Sequence, residues 1–206
     1  HEINVADLGA RASVSEAPSP PTAKGPPRMA AAQVFGDVKN FSKLAEGQLP
    51  AFVTHVMGAV DAAIDDARAK YGQVSLAFVN TWGDGVFAVF DAPAPAAYFA
   101  RRMQERMNDL PLADLGLPED LKIRLGMHFG VVYEQREPVT NVTNYFGEAV
   151  ARAARIEPIT DAGSVFVSEE FAAELALDPQ APAITEYVGE RDTAKKYGRF
   201  RLYRLR

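Results

Sequence analysis

The chain has no cysteine, which excludes disulfide bonds and thiolate metal sites. It lacks the basic excess of a nucleic-acid-binding domain, since its formal net charge is −5. It also lacks an apolar run approaching the roughly 18–20 residues of a membrane span, and no secretory signal pattern is visible at its start. These absences predict a cytoplasmic protein that binds neither nucleic acid nor a membrane.

Several catalytic signatures are missing as well. The three histidines do not have the spacing of zinc ligands, and His128 lies in an apolar run, where a core or cleft-wall position is expected. No Gly-x-x-x-x-Gly-Lys-Ser/Thr run is present for a P-loop, and no serine stands in a nucleophile pattern. Zinc, P-loop and serine-nucleophile chemistry are therefore not supported.

What is present fits one globular domain with a terminal arm. The chain has 206 residues, 48% of them apolar and 24% charged, which is typical of a soluble domain with a substantial core. Residues 1–29 are rich in Ala, Ser and Pro, and the prolines disfavour a helix or a central strand. Taken alone, residues 1–29 have the composition of a disordered arm. We predict that this arm docks on the folded domain, which spans residues 30–206, or on a second subunit.

Hydrophobic spacing predicts both helices and strands. Apolar residues from Phe52 to Ile64 recur at helical spacing, and the apolar runs on either side of Trp82-Gly83-Asp84 predict a β-hairpin. The predicted strands are 31–35, 74–80, 85–90, 121–132, 165–167, 184–188 and 200–205, and the predicted helices are 49–70, 95–108, 148–156 and 169–175. The order β-α-β-β-α-β with further pieces predicts an α+β, ferredoxin-like fold in which helices flank a central antiparallel sheet.

Two aspartates follow apolar, strand-like runs. Asp37 stands after Val34-Phe35-Gly36, and Asp84 stands between two glycines after Asn80-Thr81-Trp82. Carboxylates at two strand ends could hold two divalent cations about 3.5–4 Å apart against a nucleoside triphosphate. Backbone N–H groups in the polar run after Asp37 could hold phosphate oxygens. The alternatives are a solvated loop position for Asp37 and ordinary turn chemistry for Asp84.

Arg155 is the third candidate. It stands among small and apolar residues of the predicted helix 148–156, so its side chain is expected to face a definite partner. A guanidinium that binds a phosphate bidentately would stabilise charge developing at phosphorus. The alternative is an ion pair with a nearby carboxylate, whereas Arg152 is expected at the surface.

Taken together, these runs resemble the class III nucleotidyl cyclases over roughly residues 30–206. The pieces occur in that family's order along the chain: 35–42, Trp82-Gly83-Asp84, 126–130, Phe146-Gly147 with Arg155, and 165–168. The resemblance implies a homodimer whose active sites are shared between opposite subunits. It also implies cyclisation of a nucleoside triphosphate to a 3′,5′-cyclic nucleotide with release of pyrophosphate.

The resemblance assigns roles to individual residues. It implies that Asp37 and Asp84 hold two Mn²⁺ or Mg²⁺ ions per active site, with the backbone carbonyl of Val38 as a further ligand. The remaining implied roles concern the substrate: the amides of Phe41 and Ser42 face the phosphates, Arg155 stabilises the transition state, and Lys196 contacts a phosphate. A solvated basic loop is the alternative for Lys196.

This chain differs from the family in the residue types at the positions that recognise the nucleotide base. Asn80 and Asn144 stand where adenylate cyclases carry Lys and Asp or Thr, and Ala151 replaces the asparagine that orients the ribose. A carboxamide both donates and accepts hydrogen bonds, so it could face a pyrimidine edge that offers both. The chain looks most like the bacterial pyrimidine cyclases of Pycsar anti-phage systems, which implies UTP, or else CTP, as substrate and a separate effector protein that responds to the cyclic nucleotide.

Two other functions stay open. The first is an adenylate cyclase with an atypical base pocket. The second is a non-catalytic module with a degenerate cyclase fold, for which Ala151 is the best support. Retention of Asp37, Asp84 and Arg155 together favours an enzyme, because a binding module has no need of all three.

Overall fold

The computed structural model describes residues 25–193 and 197–206. The strands are β1 (Arg28–Lys39), β2 (Leu76–Trp82), β3 (Gly85–Phe90), β4 (Lys122–Arg136), β5 (Thr143–Phe146), β6 (Val165–Ser168), β7 (Thr185–Asp192) and β8 (Arg199–Leu205). Helix α1 is a continuous helical stretch that begins with an α-helical turn at Leu49–Ala51, widens to a π-helix over Phe52–Met57 and continues as an α-helix over Gly58–Tyr71. The other helices are α2 (Pro93–Asp109), α3 (Glu148–Ile156) and α4 (Glu169–Ala176).

The helices agree with the sequence-based prediction. The bounds of α3 match those predicted, and the backbone N–H of Phe171 donates to Oγ of Ser168 (3.2 Å), which makes Ser168 the N-cap of α4. None of the helices in the described part of the chain combines the length and hydropathy needed to cross a membrane. The predicted arm, residues 1–29, lies largely outside the described residues, and β1 already begins at Arg28.

The strands form a mixed sheet in the order β2-β3-β1-β4-β6-β8-β7, with β5 paired to β4 alone. The first four strands in this order each pair with their neighbours among the four in an antiparallel manner, as the ferredoxin-like prediction requires. The prediction of an antiparallel sheet is wrong for one pair, because β6 runs parallel to β4. A parallel pair needs a long crossover connection, and here β5 and α3 provide it.

The main core lies on one face of the sheet. Helices α1, α2 and α4 cover that face, and they pack Phe52, Phe99 and Phe171 against strand residues such as Leu125 and Met127. Removal of this apolar surface from water is the main stabilising term of the fold.

The opposite face of the sheet carries a smaller core and an open surface. Helix α3 and strand β5 cover part of this face through Tyr145 and Ala149. The rings of Phe35, Phe78 and Phe87 pack side by side, with centroids 4.6 and 5.4 Å apart, and Phe35 and Phe78 are only partly buried. This half-covered aromatic row lies beside the candidate site.

Candidate active site

Asp37 lies near the end of β1, on the open face of the sheet. The Val38 side chain points into the main core, so strand alternation turns Phe35 and Asp37 to the opposite face. Between them, a Cβ on Gly36 would come within 2.6 Å of Leu125 Cδ2, which explains the glycine. This packing presents Asp37 as a half-buried carboxylate.

Asp84 lies in the tight turn between β2 and β3. Trp82 pairs with Gly85 across the hairpin, so Gly83 and Asp84 are its two turn residues. The φ angle of Gly83 is +61°, which suits glycine at the first central position of a type II′ turn. Because β1 and β3 are paired as far as Gly36, the turn lies beside the end of β1.

The carboxyl groups of Asp37 and Asp84 lie close together, because the hairpin turn stands beside the end of β1. Burial raises the pKa of Asp84 to about 6, and the hydrogen bond and negative charge of Asp37 add to the increase. The positive charge of Arg124 acts in the opposite direction without cancelling it. The structure thus brings together the two carboxylates that the sequence singled out.

Arg124 and Glu157 complete the cluster, and sequence reasoning missed both. Arg124 stands opposite Asp37 on β4, and its Nη2 donates to Asp37 Oδ2 at 2.9 Å. Its Nε donates to Glu157, which follows α3 directly. Burial raises the pKa of Glu157, and the charge of Arg124 opposes that increase. The sequence signal that could have identified Arg124 is its place as a charged residue between the apolar Ile123 and Leu125 of a predicted strand.

The donor chemistry of this cluster fits a divalent cation. Hard ions such as Mg²⁺ and Mn²⁺ prefer carboxylate oxygens. Burial, and then the neighbouring Asp37, raise the pKa of Asp84, and a bound cation would favour its charged form. Over residues 25–193 and 197–206, no group of three or more His, Cys, Asp or Glu side chains is placed to hold a metal ion. Other ligands would have to be backbone carbonyls, such as that predicted for Val38, water, or oxygens of a substrate.

Phe41 and Ser42 open a single 3₁₀ turn just beyond the end of β1. The chain enters the turn through Asn40, whose φ is +72° and whose Nδ2 donates to Asp120 Oδ2 at 2.8 Å. The Phe41 ring packs against Phe52 of α1, with centroids 4.8 Å apart, whereas Ser42 is exposed. The first N–H groups of such a turn have no partner within it, so both are available to an anion.

Arg155 is held by an aromatic ring and a carbonyl group. Its Cζ lies 3.6 Å from the centroid of the Tyr197 ring, and its Nη1 donates to the backbone oxygen of Ala151 at 3.0 Å. Within the part of the chain that the structure describes, these contacts stand in place of the ion pair that was the alternative for Arg155. Arg152 instead pairs with Glu148 and Glu170 at the surface of α3.

The remaining predicted positions lie around the edge of the open face. Asn80 is exposed on β2, and Asn144 is half-buried on β5, a strand that the sequence-based prediction missed because only four residues form it. Trp82, at the end of β2, is 51% exposed, so its ring is not part of the buried core. Lys196 lies outside the described residues.

Comparisons with known proteins agree with this geometry. The family model described as "Adenylate and Guanylate cyclase catalytic domain" matches residues 27–196. An adenylate cyclase of Neurospora crassa is 25% identical over 166 residues, which are 73% of this chain and 7% of that protein. The chain therefore spans less than a tenth of the length of this curated relative.

Solved structures share the fold. The adenylyl cyclase CyaB from P. aeruginosa aligns with a TM-score of 0.69 and 19% identity over 88% of this chain and 96% of that one. The guanylate cyclase domain of RhGC from Catenaria anguillulae, solved in complex with GTP, aligns with a TM-score of 0.68 and 20% identity over 87% and 98% of the two chains.

Proposed function

We propose, because the chain belongs to the adenylate and guanylate cyclase catalytic domain family, that it cyclises a nucleoside triphosphate to a 3′,5′-cyclic nucleotide and pyrophosphate. In this reaction the ribose O3′ forms a bond to the α-phosphorus, the bond from that phosphorus to the bridging oxygen of pyrophosphate breaks, and the hydroxyl proton leaves to water. The observation that carries the proposal is the meeting of Asp37 and Asp84 at one edge of the open face.

The side chains of the cluster have complementary tasks in this proposal. Asp37 and Asp84 would hold two divalent cations, which when bound lower the pKa of the attacking hydroxyl and neutralise phosphate charge. The N–H groups of Phe41 and Ser42 would bind phosphate oxygens. Arg155 would stabilise charge that develops at phosphorus, and Lys196 would contact the triphosphate. Such a site works mainly through positioning and electrostatics.

We place the working site between two copies of the chain. The support is the half-covered aromatic row of Phe35, Phe78 and Phe87, an apolar surface next to the site that a second subunit could cover. Asp37 is bound by Arg124, whereas Arg155 is held by Tyr197, so the two side chains have different partners within the chain. A two-fold dimer would contain two equivalent sites.

We propose a pyrimidine nucleotide as substrate, with UTP favoured over CTP. The support is the absence of the purine-reading residue types at Asn80 and Asn144. The second candidate is ATP, favoured by the similarity to an adenylate cyclase of Neurospora crassa.

The experiment is product identification by mass spectrometry after incubation with Mn²⁺ and an equimolar mixture of ATP, GTP, CTP and UTP. A cyclic pyrimidine nucleotide with matching pyrophosphate is the expected result. Cyclic AMP as the main product would establish the second candidate, and release of no pyrophosphate would favour a binding module.

The resemblance to the Pycsar cyclases supports an anti-phage role in which a separate effector binds the product. Cells carrying the wild-type chain should accumulate the cyclic nucleotide during phage infection, whereas cells carrying Asp84→Asn should not. Equal nucleotide levels in infected and uninfected wild-type cells would contradict this role.

A further inference from the structure

Two lysines stand directly opposite each other where β1 and β4 stop pairing. Lys39 is the last residue of β1, and its register partner is Lys122, the first residue of β4. Their neighbours in the two strands, Val38 and Ile123, belong to the main core, so strand alternation turns both lysines to the open face. Opposed side chains of this kind have Cβ atoms about 4.5–5.5 Å apart, so the two ammonium groups share one region of surface.

The two positive charges of this pair repel each other. Like charges directly opposite on neighbouring strands are destabilising, and both side chains are exposed. Within the part of the chain that the structure describes, neither lysine forms an ion pair, and Asp37 and Glu157 bind Arg124 instead. Asp120, which precedes β4, accepts a hydrogen bond from Asn40 through Oδ2 at 2.8 Å. An anion from solution would relieve the repulsion.

The lysine pair adjoins the acidic cluster along the same two strands. The preceding pair on the open face is Asp37 opposite Arg124, which is two residues and therefore roughly 6.5 Å away along the strand. On the other side of Asp37, Phe35 belongs to the half-covered aromatic row. The open face of β1 is thus aromatic, then acidic, then basic. A nucleoside triphosphate has its base, its metal-bound phosphates and its terminal phosphates in the same order.

The stem of Lys122 is held in place by the loop that precedes β6. A Cβ added to Gly163 would lie 3.3 Å from Cδ of Lys122, and the φ angle of Gly163 is +72°. The aliphatic part of Lys122 therefore packs against this loop, while its charged end stays in water. This contact limits the positions that the ammonium group can take.

We propose that Lys39 and Lys122 together bind the terminal phosphates of the triphosphate and hold the pyrophosphate after it leaves. The inference rests on the proposed function for the identity of the ligand, and it adds the direction in which the triphosphate lies along β1. Lysine binds phosphate as a compact point charge. Two such charges would offset the negative charge that develops on the leaving pyrophosphate.

Calorimetric titration with inorganic pyrophosphate in a buffer that contains Mg²⁺ tests the inference without turnover. We expect Lys39→Gln and Lys122→Gln each to weaken binding about three- to tenfold, because each removes one charge-assisted contact. Affinity should fall more steeply with added KCl in the wild type than in the double variant. Lys39→Arg and Lys122→Arg keep the charge and should retain most of the affinity.

Lys70→Gln is the matched control. Lys70 is an exposed lysine at the end of α1, which covers the opposite face of the sheet, so its replacement should leave pyrophosphate affinity unchanged.

Stability without ligand separates this role from a structural one. Because Lys39→Gln and Lys122→Gln each remove a like-charge contact, the urea midpoint of each variant should equal or exceed that of the wild type. A side chain that served the fold alone would lower the midpoint when replaced. Pyrophosphate should raise the midpoint of the wild type more than that of the double variant.

Three results would overturn the inference: unchanged pyrophosphate affinity in the double variant, an equal loss in Lys70→Gln, or a lower urea midpoint in both single variants without ligand. Inhibition by products distinguishes it from the proposed function. A chain that forms a cyclic nucleotide, but whose double variant is inhibited by pyrophosphate as strongly as the wild type, would contradict this inference alone. A chain that binds pyrophosphate through both lysines and forms no cyclic nucleotide would contradict the proposed function alone.

Discussion

Arg124 and Asp37 stand opposite each other on β4 and β1, joined by a 2.9 Å hydrogen bond from Nη2 to Oδ2. The same guanidinium binds Glu157 at the end of α3. One positive charge thus connects a carboxylate of the proposed metal site to the segment that follows Arg155. It offsets part of the negative charge that the contact between Asp37 and Asp84 creates.

Arg124→Gln should destabilise the protein, because it leaves three neighbouring carboxyl groups without their cation. We expect the free energy of unfolding at pH 7 to fall by about 1–3 kcal/mol in urea titrations. Mn²⁺ should restore more stability to this variant than to the wild type, since the ion supplies the missing charge. The exposed Arg201→Gln should change little, and a loss that Mn²⁺ does not reduce would contradict this account of Arg124.

Tyr197 should position Arg155 for catalysis. Tyr197→Leu removes the ring 3.6 Å from the guanidinium, and we expect kcat to fall about two- to tenfold, in line with a cation–π contact. Tyr197→Phe keeps the ring and is the matched control, with kcat close to that of the wild type. Equal losses in both variants would show that the hydroxyl, rather than the ring, matters.

Mixing two inactive variants tests whether the site is shared between subunits. Asp37→Ala and Arg155→Ala should each abolish turnover, but their heterodimer would keep one intact site. A mixture should therefore recover about a quarter to a half of wild-type activity. Each variant incubated alone is the control, and a mixture that stays inactive although exchange of subunits is demonstrated would place the site within one chain.

His128 should make stability depend on pH. Its ring is 4% exposed, with Nδ1 2.8 Å from Ser168 Oγ, and burial lowers its pKa from 6.5 to about 4. Glu170 and Glu148 act to raise this pKa, and Arg152 acts to lower it further. Because the pKa in the folded state lies below that of the unfolded state, the contribution to stability is present above pH 6.5 and is lost as pH falls towards 4.

The size of this effect can be measured against a variant. The stability of the wild type minus that of His128→Gln should decrease by up to about 3 kcal/mol between pH 6.5 and pH 4. Urea titrations across that range provide the measurement. His55→Gln on α1, where the ring is only partly buried, controls for loss of a histidine elsewhere, and a pH-independent difference for His128→Gln would contradict the prediction.

The sequence predicted the fold where hydrophobic periodicity is strong. The helix with Phe52 and Ile64 and the hairpin around Asp84 follow directly from spacing, and so does the proximity of Asp37 to Asp84 once β1 pairs with β3. Strand β5 has only four residues and no apolar pattern, and it forms because β4 is long enough to pair with it.

Tertiary contacts decided the rest of the site. Arg124 lies opposite Asp37 because of the register of β4 against β1, which no local sequence pattern encodes. The carboxamide oxygens of Asn80 and Asn144 each accept a hydrogen bond from the next backbone N–H, and this orientation depends on their strands being sheet edges, a property that exists only in the folded chain. The residue type alone therefore predicts only that each asparagine carboxamide can both donate and accept a hydrogen bond.

We propose that Asp37 and Asp84 share divalent cations beside a bound triphosphate. Electron paramagnetic resonance of the protein with Mn²⁺ and 3′-deoxy-UTP tests it directly, because two ions about 3.5–4 Å apart are magnetically coupled. We predict a coupled Mn²⁺ pair in the wild type and its loss in Asp37→Asn and Asp84→Asn, which should also lose turnover while unfolding cooperatively. Uncoupled Mn²⁺ in the wild type, or an unchanged coupled signal in both variants, would contradict the account.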